Sequence, residues 1–129
     1  TGLCKYNGTM YYVKSGKLDW GYTGLCKHDQ VWYYIKGGMQ DNSYIGLYKY
    51  NGAWFYIKSG KIDWGYTGLC KHNGAWFYVR SGQLNWNYTG LCKYNGNQYY
   101  VKNGQVNFGF NGTIRHDGKN YKIVNGIAK

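Results

Sequence analysis

The side chains best suited to specific chemistry are aromatic. Trp32, Trp54 and Trp76 stand 22 residues apart, each followed two positions later by Tyr34, Tyr56 and Tyr78. Trp64 and Trp86 lie ten residues beyond the second and third of these tryptophans, and Tyr66 follows Trp64 by two. Rings among lysines suit a sugar lying flat on an aromatic face or a cation boxed by several faces. The chemistry indicated is therefore binding, and its candidate residues are Trp32, Tyr34, Trp54, Tyr56, Trp64, Tyr66, Trp76, Tyr78 and Trp86. Trp54, Tyr56, Trp64 and Tyr66 with Leu69 and Trp76 are expected to form a shallow slot between neighbouring copies of a repeat.

Catalysis is poorly supplied. Asp19, Asp41 and Asp63 share one repeat position, which Asn85 and Asn107 occupy later, the variation expected of turn-capping residues. The chain has no glutamate and no G-x-S-x-G sequence. Acid and base roles need two groups in unlike environments, whereas an array repeats one environment. Cys26-Lys27-His28 and Cys70-Lys71-His72 put sulfur and nitrogen on one strand face, but metal sites usually take three or four ligands. His28, His72 and His116 alternate with Tyr6, Tyr50 and Tyr94, an aromatic slot beside a turn. No catalytic residue, metal or cofactor is expected.

These rings are positioned by a repeat. Five blocks of 22 residues, 1–22, 23–44, 45–66, 67–88 and 89–110, precede a shorter one at 111–129. In the central block, Leu47 to Tyr50 and Ala53 to Lys58 flank Asn51-Gly52, the strongest short hairpin signal. A two-residue turn sets Tyr50 opposite Ala53, Lys49 opposite Trp54, Tyr48 opposite Phe55 and Leu47 opposite Tyr56. Tyr48, Phe55 and Ile57 then share an uncharged face, expected to point inward. Leu47, Lys49, Trp54, Tyr56 and Lys58 share the half-wet one. Ser59-Gly60 ends the second strand, and Lys61 to Trp64 makes a third short extended piece. No helical period occurs.

A lone hairpin is marginal in water and 22 residues bury no core. The fold expected is all-β, a β-solenoid of about six stacked hairpin repeats of 22 residues, forming a single array over 1–129. The last block, with Asn120 and Lys122 where earlier blocks have rings, reads as a cap. Asp29-Gln30 replaces Asn-Gly in the second block, and a different turn is expected there. Cys4, Cys26, Cys70 and Cys92 are repeat-equivalent, with Tyr48 and Ile114 in the other copies, so the position calls for apolar volume on the inward face. Equivalent residues one hairpin apart lie roughly 10 Å from each other, beyond the ~7 Å Cα limit for a disulfide. Free thiols are expected.

Sixteen lysines and arginines against five aspartates give a formal charge of +11, which favours an acidic partner or surface. The lysines recur at fixed positions and trace a ladder, with no motif of a nucleic-acid reader. No apolar run is long enough to span a membrane, and neither a membrane span nor a signal peptide is expected within residues 1–129. The chain reads as a segment of a longer protein.

The stretch TGLCKHNGAWFYVRSGQ, from Thr67 to Gln83, and its equivalent from residue 45 resemble the choline-binding or cell-wall-binding repeats of Gram-positive surface proteins and phage lysins. That superfamily includes the sugar-binding repeats of clostridial toxins and glucansucrases, and the likeness covers essentially the whole chain. It implies hairpins rotated about an axis, with ligand sites between successive hairpins. In choline-binding members the cage uses a tryptophan after the early glycine, the tryptophan of the W-Y-Y triplet and a nearby tyrosine. The triplet positions are kept here at Trp32, Trp54 and Trp76 with Tyr34, Tyr56 and Tyr78. Leu3, Leu25, Leu47, Leu69 and Leu91 replace the early tryptophan, which argues against choline; Trp20, Trp64 and Trp86 could supply another wall. The function expected is a non-catalytic module that attaches an extracellular bacterial surface or secreted protein to cell-wall polysaccharide, teichoic acid or host glycan. An adhesin or display scaffold binding a host protein is the alternative. Neither nucleic-acid binding nor membrane insertion is expected.

Overall fold

The computed structural model describes residues 1–129 as eighteen β-strands joined by turns, with no helix. Contacts gather into two compact units, Thr1–Trp64 and Gly65–Lys129, each with three strand triplets. The first unit holds β1 (Gly2–Tyr6), β2 (Thr9–Lys14) and β3 (Lys17–Leu18), then β4 (Gly24–His28), β5 (Val31–Lys36) and β6 (Met39–Gln40), then β7 (Gly46–Tyr50), β8 (Ala53–Lys58) and β9 (Lys61–Ile62). The second holds β10 (Gly68–His72), β11 (Ala75–Arg80) and β12 (Gln83–Leu84), β13 (Gly90–Tyr94), β14 (Asn97–Lys102) and β15 (Gln105–Val106), and β16 (Gly112–His116), β17 (Lys119–Val124) and β18 (Ile127–Ala128).

Asn51 and Gly52 both take positive φ, 51° and 83°, which makes the type I′ turn whose twist matches its strands. The register is the expected one: Tyr50 faces Ala53, Lys49 Trp54, Tyr48 Phe55 and Leu47 Tyr56. Asp29-Gln30 does not change its turn; its φ values are 49° and 69°. The flanking pairs, Cys26 with Tyr33 and His28 with Val31, leave two residues to close the hairpin, and that constraint overrides local preference. Ser59-Gly60 is a second turn of the same kind, folding β9 back so that Ile57 meets Ile62.

Within each unit the later third strands, β6, β9, β15 and β18, also pair with the preceding hairpin. Met39 of β6 lies opposite Tyr11 of β2 and Lys61 of β9 opposite Tyr33 of β5; in the second unit Gln105 faces Phe77 and Ile127 faces Tyr99. The ring closing each block is a second joint. Tyr22 stacks on Tyr12 with centroids 4.0 Å apart and donates its hydroxyl to the Leu25 carbonyl of the next block at 2.6 Å. Tyr44 on Tyr34 and Tyr88 on Tyr78 stack likewise, with hydroxyls on the Leu47 and Leu91 carbonyls.

This joint corrects the expected faces. Leu47 is 1% exposed and Tyr56 9%, although the alternation places both on the half-wet side, whereas Tyr48 and Phe55 on the expected inward side are half-buried. Side chains on both faces of the hairpin are buried, Leu47 on one and Ile57, 0% exposed, on the other. Leu25 and Leu69 are as deeply buried as Leu47, and each such side chain contributes about 1.5–3 kcal/mol. All four cysteines are free thiols; Cys70 is buried, Cys26 and Cys92 are half-buried and Cys4 is exposed, so the inward placement holds fully only for Cys70. Asp19, Asn85 and Asn107 cap turns as expected, each accepting the N–H two residues on at 2.9–3.0 Å.

Two glycines of the second unit separate backbone strain from crowding. Gly74 and Gly104 have φ of +83° and +81°, but a Cβ on Gly74 meets nothing within 4 Å, whereas one on Gly104 lies 2.6 Å from the Asn85 carbonyl oxygen. Gly74→Ala should cost about 1–2 kcal/mol. Gly104→Ala should cost more than twice that, because the oxygen it meets belongs to the backbone of the previous corner; urea unfolding of both variants checks the difference.

A second expectation concerns alkali. Burial, then the neighbouring Tyr50 and Cys26, pushes the Tyr22 hydroxyl up to about 12. A folded pKa above the unfolded value of about 10 favours the protonated form. Its contribution is complete below pH ~10 and is lost as pH rises through ~12. Tyr22→Phe should be less stable at pH 8, by about 1 kcal/mol for the lost hydrogen bond, and should show a shallower loss between pH ~10 and ~12 in alkaline unfolding monitored by circular dichroism.

Candidate ligand-binding slots

Each slot is centred on the aromatic in the middle of a block's second strand. In the first unit that ring is Phe55 on β8, with Trp64 edge-on to it at 5.8 Å. Trp32, from the hairpin before, tilts against Tyr50 with centroids 5.6 Å apart. Trp32, Tyr50 and Phe55 pack on one core cluster of Leu25, Tyr34, Ile57 and Ile62. Tyr50 is the last residue before the Asn51-Gly52 turn, so a rigid turn holds its ring. Trp64 follows the short β9 and remains 48% exposed at the rim.

The second unit repeats the arrangement around Tyr99. Trp76 of β11 meets Tyr94 at 5.1 Å, and Phe108 stands edge-on to Tyr99 at 6.1 Å. These four rings with Leu69, Asn95, Val106 and Ile127 line a cavity of about 370 Å³. No charged side chain lines it, and Val106 closes its floor at 6% exposure. An uncharged recess with ring faces and one carboxamide can hold a flat apolar face and orient a few hydroxyls.

The structure distributes the nine sequence candidates unequally. Trp32, Trp64 and Trp76 are slot walls. Trp86 is 49% exposed and edge-on to Phe77 at 5.8 Å; Trp54 is half-buried on β8 opposite Lys49. Tyr34, 5% exposed, and Tyr56, 9% exposed, are core rings, and Tyr34 stacks on Tyr44. Tyr78 is half-buried and stacks on Tyr88 at 4.1 Å. Tyr66 donates its hydroxyl to the Leu69 carbonyl. Burial raises the hydroxyl pKa of Tyr34 and of Tyr88, so these joint rings stay neutral.

Tyr50, Tyr94, Phe55, Tyr99 and Phe108 line or back the slots and were not among the candidates. The signal for Tyr50 and Tyr94 was present, since their position reads as an aromatic slot beside the turn. What the sequence did not supply was the partner across the hairpins, a tryptophan 18 residues earlier in both cases.

No curated protein sequence matches the chain. Among solved structures, it is similar to alternansucrase in complex with isomaltononaose, at 25% identity and a TM-score of 0.53, over 98% of this chain and 10% of that one. It is also similar to choline-binding protein F from Streptococcus pneumoniae, at 24% identity and a TM-score of 0.37, over 99% and 41% of the two chains. For the same protein in complex with ipratropium the values are 26% and 0.37, over 100% and 38%. The chain thus spans about a tenth of the first protein and about two fifths of the second. The family model for the choline-binding repeat matches residues 1–19, 21–41, 43–63, 65–85 and 87–107. Five matches over most of the sequence, at the 22-residue period of its blocks, establish that the chain belongs to the choline-binding repeat family.

Proposed function

We propose that the chain is a non-catalytic module that attaches a larger secreted or surface protein of a Gram-positive bacterium to a glycan, either cell-wall polysaccharide, teichoic acid or a host glycan. Its array would be a β-solenoid of about six 22-residue blocks, the last acting as a cap. The observation that carries the reading is the recurrence of one arrangement in both units: a tryptophan of one hairpin against a tyrosine beside the next turn, Trp32 with Tyr50 and Trp76 with Tyr94. Pyranose rings stack on such faces, and several weak slots on one chain bind a polymer well by avidity. Trp32, Trp54, Trp64, Trp76 and Trp86 would contact the ligand, while Tyr34, Tyr56, Tyr66 and Tyr78 hold the frame behind them.

A sugar is favoured over choline by the leucines after the early glycine. Leu25 and Leu69, 1% and 2% exposed, occupy the place of a cage wall in choline-binding members and offer no ring face. The alternansucrase complex with isomaltononaose supports the same preference, since its similarity to this chain comes with a glycan-bound partner.

Calorimetry with isomalto-oligosaccharides, purified wall polysaccharide, teichoic acid and mucin glycans tests the proposal. Saturable heat is expected with at least one glycan and none with choline at the same concentration. Trp76→Ala should weaken the response about tenfold at its slot, the scale of one lost stacking contact with its buried area, with the circular dichroism spectrum unchanged. Absence of heat with every glycan at millimolar sugar would overturn the reading.

A further inference from the structure

The slot centred on Tyr33 of β5 has the same backbone as the others and opposite chemistry. Met10, 5% exposed, stands where Trp32 and Trp76 stand in their slots. Gln40 takes the place of Ile62 and Val106, and Asn42 the place of Trp64 and Phe108. The residue over the ring is Lys61, in register with Tyr33 and with Nζ 5.7 Å from the ring centroid. These residues and Lys5, which lies opposite Met10, border a groove of about 410 Å³. The Gln40 Oε1 accepts the Met10 backbone N–H at 3.4 Å, which fixes the carboxamide and leaves Nε2 as a donor.

The groove has two ammonium groups and no acid in its lining. Asp41, between Gln40 and Asn42 in the sequence, accepts from the Ser43 hydroxyl at 2.6 Å and N–H at 2.9 Å, and those bonds hold its carboxyl below the usual range. Lysine binds carboxylate and phosphate oxygens as a point charge, and one already placed over a ring has less freedom left to lose.

We propose that this groove binds an anionic group carried on a sugar ring, a carboxylate or a phosphate. Lys61 and Lys5 supply the countercharge, Gln40 and Asn42 donate to the oxygens, and Tyr33 is the face on which the ring lies. The proposal rests on the glycan-binding reading for the sugar ring alone; recognition of the charge stands on the groove's own residues. It divides the module into slots for neutral units and a groove for a charged one, which suits a polymer bearing acidic units at intervals.

The test is a ¹H–¹⁵N NMR titration of the whole chain with glucose, glucuronic acid and glucose 1-phosphate at tens of millimolar. Either acid should shift the side-chain amides of Gln40 and Asn42 while glucose leaves them in place, and the arm that responds identifies the anion. Lys61→Gln should weaken that binding about tenfold, the scale of one charge-assisted contact, whereas Lys14→Gln, outside the groove, should not. Equal shifts with glucose, no shift with either acid, or no effect of Lys61→Gln would overturn the proposal. The indole N–H signals of Trp32 and Trp76 report separately on the glycan slots. If they stay still with every sugar while Gln40 and Asn42 respond to the acids, the glycan slots fail and the groove stands.

Discussion

A hairpin as short as one of these blocks has two faces and too few residues to cover either. Water on both sides would leave Leu47 and Ile57 exposed, and a pair of strands alone is marginal. Both side chains are instead buried to 1% or less. Tyr22, Tyr44 and Tyr88, each closing a block, make this possible by bridging two blocks at once. Each of these rings stacks on its own hairpin, while its hydroxyl holds the next block by the leucine carbonyl, as Tyr22 does with Tyr12 and Leu25. One side chain thereby sets the distance between neighbours and satisfies a carbonyl at the joint, which is otherwise costly to leave unpaired inside a protein.

Much of the fold was legible because its rules are local. Asn51-Gly52 specifies two positive φ values, the turn specifies the register, and the register specifies the pairs, each step following from the last. Asp29-Gln30 shows where local preference yields, for the length of the connection selected the turn and the residues accepted it. The burial of Leu47 and Tyr56 was not legible in the same way. Alternation along a strand sorts residues into two faces, but only the neighbouring blocks decide whether one face or both are covered.

The slots were half legible for the same reason. Tryptophans at a fixed period announced themselves as the chemically distinct residues; Trp76 lines the cavity of the second unit, and Trp32 and Trp64 make the equivalent ring contacts in the first. Tyr34 and Tyr56 looked equivalent to them by composition, yet lie in the core, because the second residue after each tryptophan returns to the same strand face and meets the joint tyrosine or the core there. Tyr50 and Tyr94 were visible as a pattern with no assigned partner. Pairing a residue with one 18 positions earlier requires the rotation between hairpins, and no single hairpin encodes that rotation.

Within each unit a third strand reaches back to the hairpin before it, as Lys61 reaches Tyr33 and Ile127 reaches Tyr99. A recess is therefore assembled from three consecutive blocks: one gives the tryptophan position, the next the central ring and the third the residue laid over it. Inheritance of specificity then follows order as well as content. Recombination that drops or inserts one 22-residue unit would join Met10 or Lys61 to new neighbours and create a recess of different polarity with no codon altered. Such a lineage could change what it binds by shuffling copies, while the turns, the glycines and the joint rings that make each copy fold stay the same.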